Sequence, residues 1–555
     1  MMQMTGAQLI VRLLERQGVR TIAGIPGGAI LPLYDALGGS ALIHHVLARH
    51  EQGAGFMAQG VARASGQPAV CFASSGPGAT NLVTAIADAF LDSIPMVAIT
   101  GQVPLSMIGT DAFQEVDIYG ITVPITKHNF LVRSVEELLT VIPDAFRIAM
   151  SGRPGPVLVD VPKDVQNQLI SFTDFPPPAV ADALPAVDPL AIEEAARLIN
   201  EAEQPVLYLG GGVVHSGASA LAVTLAEQAC MPTTMTLMGL GAMPVDHPLS
   251  IGMLGMHGAR YTNFVLEEAD VLVCVGARFD DRAVGKAAQF CPRAKIVHID
   301  VDPSELHKIK RAHVAIHADV GSALEALLPR IRKSMRKRWL SHVDSLRSRF
   351  PMELPGQDDP RTHYGLVRAV AAALDDEAII TTDVGQHQMW VAQAYPFRRP
   401  RQWMTSGGLG TMGFGVPTAM GAALAEPDRT VVCFSGDGSL MMNVQEFATL
   451  AEENLNVKIV LMNNSSLGLV YQQQNLFYGK RVFASKYRTG PDFIKIAEGF
   501  GIGAVDLDQA ANPRAALAQA LQTPGPCLIH ASIDREQFVY PMVPPGAANT
   551  EMIGG

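Results

Sequence analysis

Short apolar runs recur along the whole chain and alternate with stretches whose apolar residues follow a helical period. The runs are TIAGIP, PAVCFASS, MVAIT, VLVDV, PVLYLGGG, VLVCVGA, KIVHIDVD, AIITTD, TVVCFSGDG, KIVLMNN and PCLIHASI. Continuous Val, Ile and Leu ending in Gly, Ser or Asp is typical of parallel strands that are buried on both faces and lead into helices. The pattern predicts an α/β protein with parallel sheets flanked by helices.

Two breaks in this pattern divide the chain. Residues 171–190 are rich in Pro and Ala, and residues 331–360 run from a basic helix into FPMELPGQDDP. Both segments are typical of linkers, which predicts domains at residues 1–170, 185–335 and 360–555. The first and third share a strand, a glycine loop and a helix, in VCFASSGPGATN and VVCFSGDGSLMMN. We therefore expect two related α/β domains flanking a third.

Composition excludes some functional classes. A chain of 555 residues is too long for a single core. Its net charge of −11, without a basic stripe, argues against nucleic acid as a partner. The six cysteines are scattered, without the spacing of a zinc site or a redox dithiol, so buried reduced thiols are expected.

The N-terminal segment predicts no targeting signal. MMQMTGAQLIVRLLERQG has the pattern of an amphipathic helix and lacks the apolar core of a signal peptide and the Ser/Arg bias of a transit peptide. No uncharged apolar run approaches the roughly 18 residues that span a bilayer. The sequence therefore predicts a cytoplasmic protein with no membrane partner.

Two loops of the third block carry a candidate metal site. GDGS (436–439) follows one apolar run, and NN (463–464) ends the next, with 24 residues between GDG and NN. Adjacent parallel strands bring their carboxyl ends together, so Asp437 and Asn464 can meet. A carboxylate and a neutral carbonyl suit Mg²⁺ beside phosphate oxygens, and the glycines admit a diphosphate to backbone N–H groups. Either loop alone is also an ordinary turn, but the pair favours a site.

One carboxylate in the first block opens a segment of small and apolar residues, LARHEQGAGFMAQG (47–60). The seven residues after Glu51 and Gln52 include no charged side chain. A buried, unpaired carboxylate is costly. Taken alone, the segment favours a helix-start Glu stabilised by the helix dipole.

The spacing of GDG and NN resembles the signature of thiamine diphosphate enzymes. The whole chain is similar to that superfamily, with a pyrimidine-binding, a central flavin-binding Rossmann-like and a pyrophosphate-binding domain. Within it the chain resembles the acetohydroxyacid synthase (acetolactate synthase) catalytic large subunits, and its tail and GLVYQQQNLFY are closest to the enterobacterial isozyme I type. The motifs are GIPGGAILPLYDAL, RHEQGAGFMAQGVARASG, SSGPGATN, FQEVDI, RPGPVLVDVPKDVQ, GMLGMHG, GARFDDR and SGGLGTMGFGVPTAMGAA.

The resemblance implies a reaction and a role for Glu51. Members of the family use thiamine diphosphate and Mg²⁺ to decarboxylate pyruvate. They join the remaining two-carbon unit to pyruvate or 2-ketobutyrate, the first common step of branched-chain amino acid biosynthesis. Glu51 would hydrogen-bond N1′ of the cofactor pyrimidine and share a proton with it in an apolar pocket, which promotes removal of the thiazolium C2 proton. The small residues after Glu51 would let the helix start approach the cofactor and a partner chain.

Other motif positions are expected in the same site. The substrate-side loops of the first domain would contribute Gly27, Phe113 and Gln114 to catalysis. The cofactor would contact Pro77, Asn81, Val384, Gly385, Gln386, His387, Gly410, Met412, Gly436, Asp437, Gly438, Ser439 and Asn464, and Mg²⁺ would bind Asp437, Asn464 and the backbone at Ser466. For Phe113 and Met412, simple core packing is the alternative that the residues leave open.

The middle block lacks a complete G-x-G-x-x-G, so its residues alone do not establish a dinucleotide site. Asp300 ends the run KIVHID, a position where an acid often binds a ribose hydroxyl. The resemblance implies FAD, which would be structural because the net reaction is not a redox reaction. Its expected contacts are Arg153, Gly210, Gly211, Thr236, Leu237, His257, Gly276, Arg278, Asp280, Arg282, Asp300 and Asp319.

Substrate preference and partners rest on the resemblance alone. Many members carry a Trp that favours 2-ketobutyrate where this chain has Gln473, so mainly acetolactate from two pyruvates is expected. The family implies a homodimer with shared active sites and a separate small regulatory subunit. The alternative enzymes are a redox pyruvate oxidase, a glyoxylate carboligase and a flavin-free fermentative acetolactate synthase. A glyoxylate carboligase usually lacks this Glu. The remaining alternative is a non-catalytic scaffold, which predicts a lost Glu51 or a broken GDG…NN pair.

Overall fold

The computed structural model describes residues 1–554, and its first block is a six-stranded parallel sheet flanked by helices. The strand order is β3-β2-β4-β5-β7-β6. The elements are β1 (Met2–Thr5), α1 (Gly6–Arg16), β2 (Thr21–Gly24), α2 (Leu31–Gly38), β3 (His44–Leu47), α3 (Glu51–Ser65), β4 (Ala69–Ala73), α4 (Pro77–Asn81), α5 (Val83–Asp92), β5 (Met96–Gln102), α6 (Ile118–Thr122), β6 (His128–Leu131), α7 (Leu138–Met150), β7 (Pro156–Pro162), α8 (Lys163–Asn167) and β8 (Leu169–Phe172).

The N-terminal segment differs from the single helix expected from its sequence. Met2–Thr5 forms β1, which pairs antiparallel with β8, and α1 begins only at Gly6. The alternation of Met2 and Met4 with exposed Gln3 fits the period of a strand, and both Met side chains pack against the core of the first block. The Thr5 hydroxyl accepts from the N–H of Gln8 and so caps α1.

The second block is a parallel sheet in the order β11-β10-β9-β12-β13-β14. Its elements are α9 (Pro189–Glu201), β9 (Pro205–Leu209), α10 (Gly211–His215), α11 (Ser219–Ala229), β10 (Thr233–Met235), β11 (Ser250–Met253), α12 (Arg260–Glu268), β12 (Val271–Val275), α13 (Asp281–Val284), β13 (Lys295–Asp300), β14 (Val314–His317), α14 (Val320–Leu327) and α15 (Lys337–Arg349). Numbered from its own first strand, the order is 3-2-1-4-5-6, that of dinucleotide-binding folds. The expected Rossmann-like middle domain is confirmed.

The third block is a parallel sheet in the order β16-β15-β17-β18-β20-β19. Its elements are α16 (His363–Ala373), β15 (Ile379–Thr382), α17 (Gln386–Ala394), β16 (Trp403–Met404), α18 (Gly415–Ala425), β17 (Val431–Gly436), α19 (Asp437–Leu440), α20 (Glu446–Glu452), β18 (Val457–Asn463), α21 (Gly468–Phe477), α22 (Phe493–Gly499), β19 (Gly503–Asp506), α23 (Pro513–Gln522) and β20 (Cys527–Ser532). Numbered from their first parallel strands, the sheets of blocks one and three share the order 2-1-3-4-6-5. The two outer domains therefore have the same topology, as their shared sequence pattern predicts.

The second predicted linker contains a helix of its own. Within residues 331–360, α15 packs against α12 and buries Trp339 and Val343 in the apolar cluster of the middle block. The domain limits expected from the sequence stay predictions. The cysteines form no disulfide and all but Cys230 are buried, as expected for reduced thiols. Among residues 1–554, no helix combines the length and apolar character needed to cross a bilayer.

The first and third blocks of one chain meet where α3 crosses α18. A Cβ added to Gly60 would lie 2.1 Å from the carbonyl oxygen of Thr418, and one added to Gly421 would lie 1.9 Å from that of Met57. Only glycine permits so close a crossing. Packing within the chain therefore explains Gly60, and the expectation that the small residues after Glu51 admit the cofactor and a partner chain stays a prediction.

The first sheet also buries a carboxyl group whose titration should be measurable. Asp160 is 1% exposed and accepts hydrogen bonds from Thr100 and Gln102, and burial raises its pKa to about 7. Because the pKa of Asp160 is higher in the folded protein than in the unfolded chain, the protonated carboxyl stabilises the fold relative to the ionised one. This stabilisation is complete below about pH 4 and is lost as the pH rises through about 7. Between pH 5 and 8 we expect the melting temperature of the wild type to fall more steeply than that of Asp160→Asn. The additional loss in the free energy of unfolding of the wild type should be about 2 kcal/mol. Parallel melting profiles across that range would contradict this assignment.

Candidate active site

Three neighbouring strands of the third sheet deliver the loops of the predicted metal site to one edge. β15 pairs with β17, matching Thr382 to Phe434, and β17 pairs with β18, matching Gly436 to Met462. The strands are parallel, so residues 383–387, 436–439 and 463–466 follow their carboxyl ends side by side. This edge is where open α/β sheets bind ligands. We call these loops the diphosphate half-site.

Asp437 and Asn464 meet there, as their spacing predicts. The backbone N–H groups of Asn464 and Ser466 lie near the Asp437 carboxylate and favour its charged form. The side-chain oxygen of Asn464 accepts from the Ser466 hydroxyl at 3.0 Å, and its amide donates to Gln386 at 2.9 Å. Asp437 is 4% exposed, and burial raises its pKa to about 6. A buried carboxylate beside an oriented amide oxygen is a donor set that fits Mg²⁺.

His387 leaves a polar atom unsatisfied in the same half-site. Its ring would lie 2.8 Å from a Cβ added to Gly385 and 2.9 Å from one added to Gly436, so both loops need glycine to admit it. The ring is buried, its pKa is lowered to about 3 by burial, and Nε2 has no hydrogen-bond partner. Buried polar atoms are normally paired. This orphaned nitrogen therefore indicates that a bound group completes the loop.

The other predicted residues of the diphosphate half-site surround these loops. The Ser439 hydroxyl donates to the carbonyl of Val384 at 2.8 Å, tying two loops together. The terminal methyl of Met412 would lie 3.6 Å from a Cβ on Gly438, so Met412 reaches over the GDG turn. Gly410 has a φ of +72° and is exposed, which leaves its backbone open to a ligand.

Glu51 and its neighbours form a second cluster, the pyrimidine half-site. Glu51 is the first residue of α3, after His50, whose side chain caps the helix. The Asn81 amide donates to the Glu51 carboxylate at 2.9 Å, and a Cβ on Gly78 would lie 3.2 Å from its other oxygen. The structure therefore brings Glu51 and Asn81 together at a half-buried helix start that a planar ligand can approach.

The loops of Gly27 and Gln114 border this cluster. A Cβ on Gly27 would lie 2.5 Å from the hydroxyl oxygen of Ser74, which is buried without a hydrogen-bond partner. A Cβ on Gly76 would lie 2.8 Å from the carbonyl oxygen of Gln114, and Gln114 itself has a φ of +61°. Both loops thus pack on the SSGPGATN turn beside Glu51.

Three predicted residues lie outside these two clusters of contacts. Phe113 is 88% exposed, so the core-packing interpretation of its side chain is wrong. Pro77 is exposed at the start of α4. Gln473 is exposed on α21, whereas its neighbour Gln472 is buried and accepts from Gln386 at 3.0 Å. The expected roles of Phe113 in catalysis, of Pro77 in cofactor binding and of Gln473 in substrate choice stay predictions.

The expected flavin residues gather at the carboxyl edge of the middle sheet. Gly210, Thr236, Gly276 and Asp319 follow β9, β10, β12 and β14, and Asp300 is the last residue of β13. Burial raises the pKa of Asp300 to about 6. Its position and burial fit a group that binds a ribose hydroxyl.

Several of these residues also have structural partners within the protein. A Cβ on Gly210 would lie 2.2 Å from the carbonyl of Gly276, so close packing of two loops explains both glycines. Asp319 caps α14 and Asp280 caps α13. Arg153 pairs with Asp302 and Glu305 and links the first block to the middle one. Gly211 begins α10 and Arg282 lies in α13, whereas Leu237 and Arg278 lie in the segments after β10 and β12. Buried His257 contacts the carbonyl of Pro541.

Sequence reasoning missed two buried acids that fix these loops. Glu446 is 0% exposed and accepts from the backbone N–H groups of Arg49 and His50, directly before Glu51. Burial raises its pKa to about 7. Asp383 accepts from Gly413 at 2.7 Å and from Ser435 at 2.8 Å. Only Asp383 had a sequence signal, because it ends the run AIITTD.

The two half-sites of one chain are not connected by direct polar contacts. In the part of the chain that the structure describes, residues 1–554, no hydrogen bond or ion pair joins the cluster of Glu51 to the loop of Asp437. Exposed apolar side chains border both: Met107, Ile108, Phe113 and Tyr119 on the first block, and Leu409, Met441, Met442, Val470 and Phe483 on the third. Exposed apolar groups of this kind are typical of surfaces that bind a ligand or another protein.

Comparison with known proteins places each block in a described family. Residues 4–121 match the N-terminal TPP (thiamine pyrophosphate) binding domain of thiamine pyrophosphate enzymes, residues 192–327 their central domain, and residues 383–531 their C-terminal TPP binding domain. The chain is 63% identical over 550 residues to the acetolactate synthase isozyme 1 large subunit of Escherichia coli K12, covering 99% of this chain and 98% of that protein. It is 48% identical to the isozyme 2 large subunit of the same organism, covering 99% of each chain. It is 47% identical to acetolactate synthase 1, chloroplastic, of Zea mays, covering 99% of this chain and 88% of that one.

Proposed function

The chain belongs to the acetolactate synthase family of thiamine diphosphate-dependent enzymes, and on this premise we propose its reaction and its site. It decarboxylates pyruvate and transfers the two-carbon unit to a second 2-keto acid. Pyruvate as acceptor gives 2-acetolactate, and 2-ketobutyrate gives 2-aceto-2-hydroxybutyrate, the first common step of branched-chain amino acid biosynthesis. The observation that carries this proposal is the meeting of Asp437 and Asn464 at the carboxyl edge of the third sheet.

The residues of the diphosphate half-site hold the cofactor by its charged end. Asp437, the Asn464 side chain and the backbone at Ser466 would bind Mg²⁺, which would offset the negative charge of the diphosphate. The backbone of Gly436, Gly438 and Ser439 supplies N–H donors at the start of α19. When bound, thiamine diphosphate supplies a thiazolium ring that accepts the electrons released as CO₂ leaves.

The residues of the pyrimidine half-site control a proton. Glu51 hydrogen-bonds N1′ of the pyrimidine and shares a proton with it, while Asn81 holds the Glu51 carboxylate in place from its other side. Gly27, Gln114 and the exposed Phe113 lie on loops beside this carboxylate, where they position the substrate and exclude water. Gln473 contributes to the choice of the second substrate.

FAD binds at the carboxyl edge of the middle sheet in this proposal. The 3-2-1-4-5-6 strand order and the buried Asp300 at a strand end support a dinucleotide there. The flavin has a structural role, because joining two keto acids with loss of CO₂ transfers no electrons to an acceptor. Its site lies next to the loop of Gly407, since a Cβ on Gly407 would lie 2.2 Å from the sulfur of Met238, in the turn after β10.

The complete active site forms between two copies of the chain. One copy supplies the pyrimidine half-site and the other the diphosphate half-site, which accounts for two half-sites without direct polar contacts and for the exposed apolar residues beside them. A small regulatory subunit is the second expected partner, since the two E. coli relatives are named large subunits.

A product assay tests the proposed reaction. The purified protein is supplied with pyruvate, thiamine diphosphate, Mg²⁺ and FAD, and both acetolactate and acetate are measured. We expect acetolactate and CO₂ without an electron acceptor, and flavin that stays with the protein through gel filtration. Acetate formation that depends on an electron acceptor would instead identify a pyruvate oxidase, and no product would contradict the proposal.

A further inference from the structure

The loop that carries Gly410 and Met412 is held by two buried aspartates of the first block. The loop, residues 405–414, lies between β16 and α18 of the third block. Asp88 and Asp92 are one helical turn apart on α5, so their side chains lie on the same face of that helix. Both are buried, at 0% and 7% exposure. We call Asp88, Asp92 and Arg63 the aspartate clasp.

Each aspartate of the clasp accepts two hydrogen bonds from the loop. The hydroxyls of Ser406 and Thr411 both donate to Oδ2 of Asp88, the second at 2.6 Å. The backbone N–H groups of Gly407 and Gly408 donate to the two carboxylate oxygens of Asp92, at 3.1 and 2.7 Å. Four donors within six consecutive residues are therefore fixed by a different domain.

Arg63 of α3 orients the aspartates and reaches the same segment. Its guanidinium donates to Asp92 at 2.8 Å and to the carbonyl of Thr405 at 3.1 Å, and it lies 3.6 Å from Asp88. Arg63 is itself 7% exposed. Buried, charge-assisted hydrogen bonds of this kind set geometry and are costly to lose.

The clasp ends at the residues that the proposed function places against the cofactor. Thr411 lies between Gly410 and Met412, and on its far side Gly413 is fixed by Asp383. Gly408 must be glycine for the approach, because an added Cβ would lie 2.8 Å from Leu91. The exposed Gly410 thus lies in a loop whose residues on both sides are held by hydrogen bonds to buried aspartates.

We propose that Asp88 and Asp92 are positioning residues, which hold the loop of Gly410 and Met412 in the shape that binds thiamine diphosphate. The inference rests on the proposed function for the identity of the ligand. The aspartates act through Thr411 and the backbone of Gly407 and Gly408 and do not touch the cofactor. The pyrimidine domain of a chain therefore shapes the diphosphate half-site of that same chain.

Two isosteric variants test the clasp. In Asp92→Asn an amide NH₂ faces a backbone N–H, and in Thr411→Val the hydroxyl that reaches Asp88 is missing. We expect the Kd of thiamine diphosphate, measured by titration calorimetry with saturating Mg²⁺, to rise about tenfold in each, the order of losing a hydrogen bond to a buried charge. Thr411→Ser keeps the hydroxyl and should bind as the wild type does. The loss of binding free energy in the double variant should be smaller than the sum of the losses in the two single variants, because both substitutions act on one loop.

A buried carboxylate elsewhere in the first block provides the matched control. Asp160→Asn should change the melting temperature but leave the Kd of thiamine diphosphate unchanged. Wild-type Kd in both Asp92→Asn and Thr411→Val would overturn the inference, as would equal weakening in Asp160→Asn. Calorimetry needs no turnover. If Kd rose in the two clasp variants and not in Asp160→Asn, but the wild type formed no acetolactate, the proposed function would be refuted and the clasp would not. Acetolactate formation with unchanged Kd in the variants would refute only the clasp.

Discussion

Glu51→Gln is expected to lower kcat for acetolactate formation by about 10²- to 10⁴-fold, the range over which positioned proton-transfer groups act. Glutamine keeps the size of the side chain and can still accept from Asn81 through its amide oxygen. It cannot share a proton with the pyrimidine nitrogen, so the loss falls on proton transfer. The Kd of thiamine diphosphate should change little, because in the proposed site the charged end of the cofactor binds at Asp437 and Asn464.

Two measurements separate this role from a structural one. Exchange of the thiazolium C2 proton, followed by NMR after acid quench, should slow together with kcat. Glu136→Gln serves as the control, since Glu136 is an exposed glutamate of the same block and should behave as the wild type. Near-normal turnover in Glu51→Gln would return Glu51 to the simpler role of a residue that begins a helix.

Asp437→Asn is expected to abolish tight, Mg²⁺-dependent binding of thiamine diphosphate. The variant removes the charge that offsets the metal ion in a buried site, and about a 10- to 100-fold rise in the Kd of the cofactor follows from losing a charge-assisted contact. The effect should appear in calorimetry with Mg²⁺ present and should nearly vanish in EDTA, where the wild type also binds weakly. Activity should fall in proportion to cofactor occupancy.

The matched control lies at the other end of the same strand. Asp428 is exposed just before β17, whereas Asp437 follows the carboxyl end of β17. Asp428→Asn should therefore bind cofactor and metal as the wild type does. If Asp437→Asn kept the same dependence on Mg²⁺ as the wild type, the metal site would have to lie elsewhere.

The sequence predicted the diphosphate half-site because its residues lie at the ends of consecutive apolar runs. Parallel strands force such ends to one edge of a sheet, so Asp437 and Asn464 could be paired without a structure. The same reasoning placed Asp300 at a strand end of the middle sheet. The apolar runs also predicted the parallel sheets correctly, since a continuous apolar run has few alternatives to a buried strand.

The contacts between blocks could not be predicted in this way. Asp88 and Asp92 meet residues 406–411 across more than 300 positions of sequence, and Glu446 meets Arg49 and His50 across almost 400. No local pattern marks such partners, because an acid on a helix has the same sequence signature whether it faces solvent or a loop of another domain. The packing of Gly60 against α18 was missed for the same reason, since its neighbours there are distant in sequence.

In the proposed dimer, Glu51 of one chain and Asp437 of the other act in one site, which co-expression of the two inactive variants tests. Dimers that pair Glu51→Gln with Asp437→Asn would hold one doubly altered site and one intact site. Random assembly makes half of the dimers hybrid, so acetolactate synthesis should recover to about a quarter of the wild-type rate. Activity of the mixture no higher than that of either variant alone would contradict a site shared between chains.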